Sequence, residues 1–173
     1  MIKIAITGPE STGKSTLAEQ LAAHFNIQWA REFARDYLEQ RAGKYNMRDL
    51  DIIAQGQKKN IESLREQELV ITDTDLTVIK IWSEIKFGEC SNLINKLWKE
   101  QHFDLYLLCS PDIPYEHDPL REHEEFREEL FEIYLSVLKQ MKVNYMIIEG
   151  DQQTRLNQSI KLVEELLEEN LQN

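Results

Sequence analysis

The run Gly8-Pro9-Glu10-Ser11-Thr12-Gly13-Lys14-Ser15 constrains this chain more than any other stretch. Its spacing is G-x-x-x-x-G-K-[ST], a phosphate-binding loop. The flanks agree with the motif. Ile2–Thr7 before it is apolar-rich, as a buried strand should be, and Leu17, Leu21 and Phe25 follow at helical intervals. In that context each residue type has a task. Gly8 and Gly13 let the backbone turn tightly and approach an anion. Loop N–H groups, from Glu10, Ser11, Thr12 and Gly13 to Thr16 at the helix start, are expected to face phosphates. Lys14 adds a point charge that reaches the terminal phosphates, and the Ser15 hydroxyl is placed to ligate Mg²⁺. The motif implies a bound nucleoside triphosphate but not its use.

The chain has 173 residues, enough for one α/β domain with a sizeable core, and we read residues 1–173 as a single domain. The net charge is −11, which disfavours a nucleic-acid binder because such a protein needs a basic face. Apolar runs are too short to cross a bilayer. Met1 leads straight into the first strand, so no signal peptide is expected. The two cysteines, Cys90 and Cys109, form neither a CxxC nor a zinc spacing. A reduced cytoplasmic protein is the simplest reading. A homo-oligomer is compatible with the sequence and not required by it.

Strand candidates alternate with helical patterns: Ile2–Thr7, a short one at about Ile27–Ala30, Leu69–Asp73, Asp104–Cys109 and Asn144–Glu149. This predicts a three-layer α/β fold, with about five parallel strands and helices on both faces. Crossovers should be right-handed and ligands should sit at the carboxyl ends of the strands. The residues just after each strand are therefore the informative ones. Arg31-Glu32-Phe33-Ala34-Arg35 follows the second strand. The helix after it, from about Arg48 to Gln67, carries Gln55 and Gln57, which read as solvent-facing more readily than as substrate contacts. Leu69-Val70-Ile71-Thr72-Asp73 is an apolar strand ending in a carboxylate, the pattern that holds Mg²⁺ opposite the loop serine. Asp75 either caps the next helix, Leu76 to Phe87, or joins the site. Trp82 and Trp98 lie in helical patterns and read as core.

The fourth strand runs into Ser110-Pro111-Asp112-Ile113-Pro114-Tyr115-Glu116-His117-Asp118-Pro119-Leu120-Arg121. So many prolines exclude a helix interior. We read about 111–125 as a lid, with Arg121 reaching the transferring phosphate. His117 and His123 have poor metal spacing and read as surface. Arg155, early in the last helix, is expected over the adenine. The nearest approach to a guanine-reading N-K-x-D loop is Asn95-Lys96-Leu97-Trp98, which lacks the Asp. Motor and AAA-type ATPases are disfavoured on chain length. A small-molecule kinase using ATP fits best.

These residues carry a resemblance. The sequence resembles the ribosylnicotinamide kinase domain of bacterial NadR and its stand-alone relatives over nearly the whole chain. The resemblance rests on the Gly8–Ser15 loop, on Glu32-Phe33-Ala34-Arg35 after Trp29, on Asp73-Thr74-Asp75-Leu76 with Trp82, and on Pro111-Asp112-Ile113-Pro114-Tyr115 running into Asp118-Pro119-Leu120-Arg121. It implies phosphorylation of nicotinamide riboside by ATP to nicotinamide mononucleotide, in NAD salvage. Family members often carry an adenylyltransferase domain or a DNA-binding helix-turn-helix; with the P-loop at residue 8, neither is expected here. Where Tyr115 and Pro119 stand, the family often has Trp and Gly.

By the same resemblance Glu32 sits where related nucleoside kinases place the base or hydroxyl-orienting carboxylate. Its alternative is an ion pair with Arg31 or Arg35. Asp73, the competitor for that role, is assigned to Mg²⁺ with Ser15. Lys14, Glu32, Asp73 and Arg121 form the expected catalytic set. Glu32, Arg35, Asp75, Tyr115 and Asp118 are the expected substrate contacts, Asp75 through the ribose or the metal shell. Tyr115 or Trp29 would stack on the cationic pyridinium ring. Rival readings are a kinase for another nucleoside or nucleotide, and a nucleotide-dependent switch ATPase without a small-molecule acceptor.

Overall fold

Ile2, Ile4 and Ile6 face one side of strand β1 (Ile2–Thr7) and Ala5 faces the other, and all four are buried. A strand buried on both faces must lie inside a sheet covered by helices above and below. The computed structural model, which describes residues 1–119 and 124–171, has that arrangement. β1 pairs in parallel with β2 (Leu69–Asp73) on one side and β3 (Leu105–Cys109) on the other, and β3 pairs with β4 (Tyr145–Ile148). The order is β2-β1-β3-β4.

Helix α1 (Lys14–His24) and helix α7 (Gln152–Leu171) cover one face. Leu17, Ala18 and Leu21 from α1 and Val163 from α7 pack there on Ile2, Ile4, Ile6, Ile71 and Leu107. On the other face Ile81 of α4 (Leu76–Phe87) and Phe131, Tyr134 and Leu138 of α6 (Arg127–Met141) pack on Ala5, Tyr106 and Leu108. A satellite core joins α2 (Phe33–Glu39), α3 (Met47–Glu62), α4 and α5 (Asn92–Glu100) through Leu38, Ile53, Ile79 and Ile94. Cys109 is fully buried and burial pushes its thiol up to about 11, so it behaves as core.

The sequence predicts a strand over 27–30, and the structure reduces it to one residue. Ala30 N–H donates to Ile71 O at 2.9 Å, and Asp73 N–H donates to Ala30 O at 2.9 Å. The chain then turns away into α2. The sheet therefore has four strands, with Ala30 as a single parallel rung outside β2. That rung delivers Glu32 to the strand-end side of the sheet. Helix α3 ends at Glu62 rather than near Gln67, in a turn where Leu64 N–H bonds Ile61 O at 3.2 Å and Gln67 N–H bonds Leu64 O at 3.0 Å.

Gly56 explains how α2 is seated. A Cβ at this position would lie 2.4 Å from Phe33 Cδ1, because the Phe33 ring rests directly on the α3 backbone. Alanine normally gains about 1 kcal/mol over glycine in a helix, but overpacking costs about 1–3 kcal/mol. With a contact this short the cost falls in the upper half of that range, so Gly56→Ala is expected to be destabilising by about 1–2 kcal/mol net, read from the urea midpoint. An unchanged or raised midpoint would contradict the contact.

Candidate active site

At the carboxyl end of β1 the loop Gly8–Ser15 wraps round a hollow. Gly8 has φ +130, and a Cβ there would lie 2.8 Å from Cys109 O at the end of β3. Only glycine allows both the conformation and that approach. Gly13, φ +76, sets the entry to α1. Thr12 Oγ1 donates to Pro9 O at 2.8 Å, and Lys14 Nζ donates to the same carbonyl at 2.6 Å. The first-turn N–H groups of α1 open toward the hollow, where the helix dipole favours an anion.

The hollow is one end of a cavity of about 490 Å³. The phosphate-loop residues Gly8, Glu10, Ser11, Thr12, Gly13, Lys14, Ser15 and Thr16 all line it, as do Glu32, Arg35 and Arg155. The same cavity includes an apolar chamber. Val78, Ile81, Trp82 and Ile85 form one stripe of α4 along that wall, facing Leu38 and Tyr45. Trp82 Nε1 donates to Tyr45 Oη at 2.9 Å, and the rings meet edge to face at 4.8 Å. Trp82 thus lines the cavity while also packing against the satellite core. Its spacing with Val78, Ile81 and Ile85 was the available signal, but periodicity alone does not separate a cavity wall from a core face.

Asp73 does not line the cavity but meets the phosphate loop from behind, through a hydrogen bond with the Ser15 hydroxyl. It is 2 % exposed. Burial raises its pKa, and the Ser15 hydroxyl hydrogen bond and the charges of Lys14 and Arg35 oppose that rise. One of its oxygens, Oδ1, is buried without a hydrogen-bond partner. A hydroxyl and a carboxylate oxygen of this kind are hard donors suited to Mg²⁺, which takes one or two carboxylates and draws its other ligands from water and phosphate. Among the described residues no cluster of three or more His, Cys, Asp or Glu forms an all-protein metal cage.

Glu32 is the N-cap residue of α2, yet its side chain does not cap the helix. It stands on the cavity wall between the phosphate end and the apolar chamber, close enough to Arg35 to favour the guanidinium charge. Arg35 Nη2 also pairs with Asp118 Oδ2 at 2.7 Å, tying α2 to the segment after Pro111. Those two expected substrate contacts therefore meet each other.

Other expectations change. Asp75 is fully buried and absent from the cavity wall. Its Oδ1 accepts from Thr7 Oγ1 at 2.9 Å, and Oδ2 accepts from Thr77 N–H and Gln101 Nε2, each at 2.9 Å. It caps α4 and locks β1 to α4, so the substrate role is withdrawn. Arg155 lines the cavity but is 3 % exposed. Its Nε donates to Gly150 O at 2.7 Å, Nη1 to Thr12 O at 2.9 Å, and Nη2 to Ser110 O at 2.8 Å and to the Asp112 carboxylate. A guanidinium so engaged staples the phosphate loop to the β3 and β4 ends and has little left to offer an adenine. Neither Tyr115 nor Trp29 lines the cavity; Arg127 lies over the Tyr115 ring at 5.4 Å and Arg31 over Trp29 at 5.5 Å. The aromatic residues on the wall are Tyr45, Trp82 and Tyr134 instead.

The segment after β3 that the sequence suggests as a lid meets the phosphate loop at residues 112–116. Glu116 N–H donates to Ser11 Oγ at 2.8 Å. Arg127 Nη1 donates to Ser11 O at 3.0 Å and to Ile113 O at 3.2 Å. Asp112 Oδ2 accepts from Gly150 N–H at 2.6 Å. Arg121, the expected lid arginine, lies outside the described residues, as does His123. Arg127 was not singled out in the sequence because it opens a long amphipathic helix and carries no motif.

Residues 3–155 match the family model described as an AAA domain. The chain belongs to that family. Its length is therefore no bar to the AAA description, contrary to the expectation from size. The chain is 29 % identical to the trifunctional NAD biosynthesis/regulator protein NadR of Salmonella typhimurium and of Escherichia coli, over 96 % of this chain and 43 % of theirs. It thus spans less than half the length of those curated relatives. Among solved structures, NadR in complex with NR superposes with a TM-score of 0.81 at 26 % identity, over 95 % of this chain and 51 % of that one. NadR in complex with NAD and AMP-PNP gives 0.78 at 25 %, over 95 % and 49 %. Deoxyadenosine kinase from M. mycoides gives 0.73 at 16 % over its full length, a likeness of fold. The resemblance read from the sequence motifs is borne out, and so is the P-loop α/β fold. No helix among the described residues is long and apolar enough to cross a membrane.

Proposed function

We propose that this chain is an ATP-dependent kinase that phosphorylates nicotinamide riboside to nicotinamide mononucleotide. The observation that carries the proposal is the single cavity joining the phosphate loop, through Glu32, to an apolar aromatic chamber. A triphosphate on the Gly8–Ser15 loop would present its γ-phosphoryl beside Lys14. A nucleoside in the chamber would bring its primary hydroxyl to Glu32. The relatives named for NAD biosynthesis, and the solved complex with NR, support this choice of acceptor. A pyridinium ring is flat and cationic, and the electron-rich face of Trp82 suits it, while Lys86 already lies over the Tyr45 ring at 5.6 Å.

The chemistry is a displacement at phosphorus. The acceptor oxygen bonds to the γ-phosphorus as the bond from that phosphorus to the bridging oxygen breaks, and ADP leaves with the electron pair. Glu32 accepts the hydroxyl proton. Lys14 and the loop N–H groups stabilise charge as it develops on the phosphoryl oxygens. Ser15 and Asp73 are the residues that would hold Mg²⁺, which when bound neutralises phosphate charge. Catalysis here is mainly positioning and electrostatics. Both cysteines are free, which agrees with a reducing cytoplasmic setting.

The test is ADP release from Mg·ATP with and without nicotinamide riboside. The kinase predicts strong stimulation and one nicotinamide mononucleotide per ADP. Slow release unaffected by any nucleoside would overturn it in favour of a nucleotide switch.

A further inference from the structure

Gln57 is buried in the middle of α3, 1 % exposed, and lies outside the cavity wall. Its side chain reaches two backbone segments at once. Oε1 accepts from Phe33 N–H at 2.8 Å, directly after Glu32. Nε2 donates to Asp73 O at 3.1 Å, to Thr74 O at 3.0 Å and to Thr72 Oγ1 at 3.0 Å. Thr72 Oγ1 in turn donates to Thr74 O at 2.8 Å.

The second segment needs holding. Thr74 has φ +74, a left-handed conformation that is costly for a β-branched residue. Its hydroxyl is buried without a partner. The twist at Thr74 lets two neighbouring carboxylates diverge, Asp73 toward Ser15 and Asp75 onto the cap of α4. The first segment is held lightly. Among the described residues it pairs with the sheet through the single Ala30 rung, Asn60 Nδ2 donates to Arg31 O at 3.2 Å, and Gly56, beside Gln57, provides the flat seat for the Phe33 ring.

We infer that Gln57 is a positioning residue for phosphoryl transfer, one amide that fixes the Glu32 backbone relative to the Asp73 backbone. This rests on the reading of Glu32 as base and Asp73 as metal carboxylate. The amide suits the task because it is at once acceptor for one segment and donor for the other. An apolar side chain of equal length does neither, and a carboxylate keeps only the acceptor.

The experiment is a double-mutant cycle in the full chain, with kcat and both KM values measured for Gln57→Met, Glu32→Gln and the double variant. Misplacing a reacting group by about 1 Å costs on the order of 10²-fold. Gln57→Met is expected to lower kcat about 30-fold with both KM values within about threefold, and to cost less than about threefold in the Glu32→Gln background. An equal factor in both backgrounds, or a loss expressed in KM alone, would overturn the inference. If Gln57→Met does not fold, Gln57→Glu carries the same cycle, since it keeps the length and the Phe33 contact. The base reading fails separately, if Glu32→Gln alone leaves kcat unchanged.

Discussion

Replacing Lys14 by alanine is expected to lower kcat/KM for phosphoryl transfer by about 10³-fold, equivalent to roughly 4 kcal/mol of transition-state stabilisation. Lys14 lines the phosphate end of the cavity at the start of α1, and its ammonium lies 2.6 Å from Pro9 O on the loop itself. A neutral carbonyl holds an ammonium loosely compared with a phosphate, so the side chain is poised to exchange one for the other. The charge it supplies grows in value as negative charge builds on the transferring group. ATP should still bind, because the loop N–H groups and the helix terminus remain. The loss should therefore fall mainly on kcat, with the fold intact by circular dichroism. A variant retaining a tenth or more of wild-type kcat/KM would contradict the role.

Glu32→Gln is expected to reduce kcat by about 10²–10³-fold while leaving KM for ATP within about twofold. The amide matches the carboxylate in size and takes no proton. Glu32 heads α2 without capping it, so the substitution removes no helix cap. Its charge does favour the Arg35 guanidinium, and Arg35 holds Asp118 at 2.7 Å. A purely structural Glu32 would act through that pair. Arg35→Gln separates the cases: it should raise acceptor KM and spare kcat, whereas loss of the base lowers kcat. Equal kcat losses in the two variants would argue for the ion pair over the base.

The parts legible in the sequence were those in which one local pattern decides the outcome. The loop spacing fixes Gly8 because no other residue type serves at φ +130 against Cys109, and Gly13 because glycine takes the left-handed angle at the start of α1 at least cost. Strands such as Leu69–Asp73 read cleanly because parallel strands bury both faces. Residues that depend on what arrives from elsewhere were harder. Gln57 looked solvent-facing in a helix of mixed pattern; only folding brings Phe33 and the β2 end to its amide. Arg155 was placed over the adenine from its position in the last helix, while its partners Thr12 and Ser110 are far away in sequence. Asp75 had both readings open. The cap prevails because Thr7 and Gln101 fill the remaining positions on its oxygens. Trp82 was read as core and does pack on the satellite core, but the same stripe also faces a cavity.

The central claim is the acceptor. It is tested most directly by kcat/KM for nicotinamide riboside against cytidine, uridine, adenosine and deoxyadenosine at saturating Mg·ATP. A chamber suited to a flat cationic ring predicts a preference for nicotinamide riboside of at least about 10²-fold, on the order of 3 kcal/mol. An equal or higher value for any of the neutral nucleosides would contradict it, leaving the kinase in place and moving its substrate.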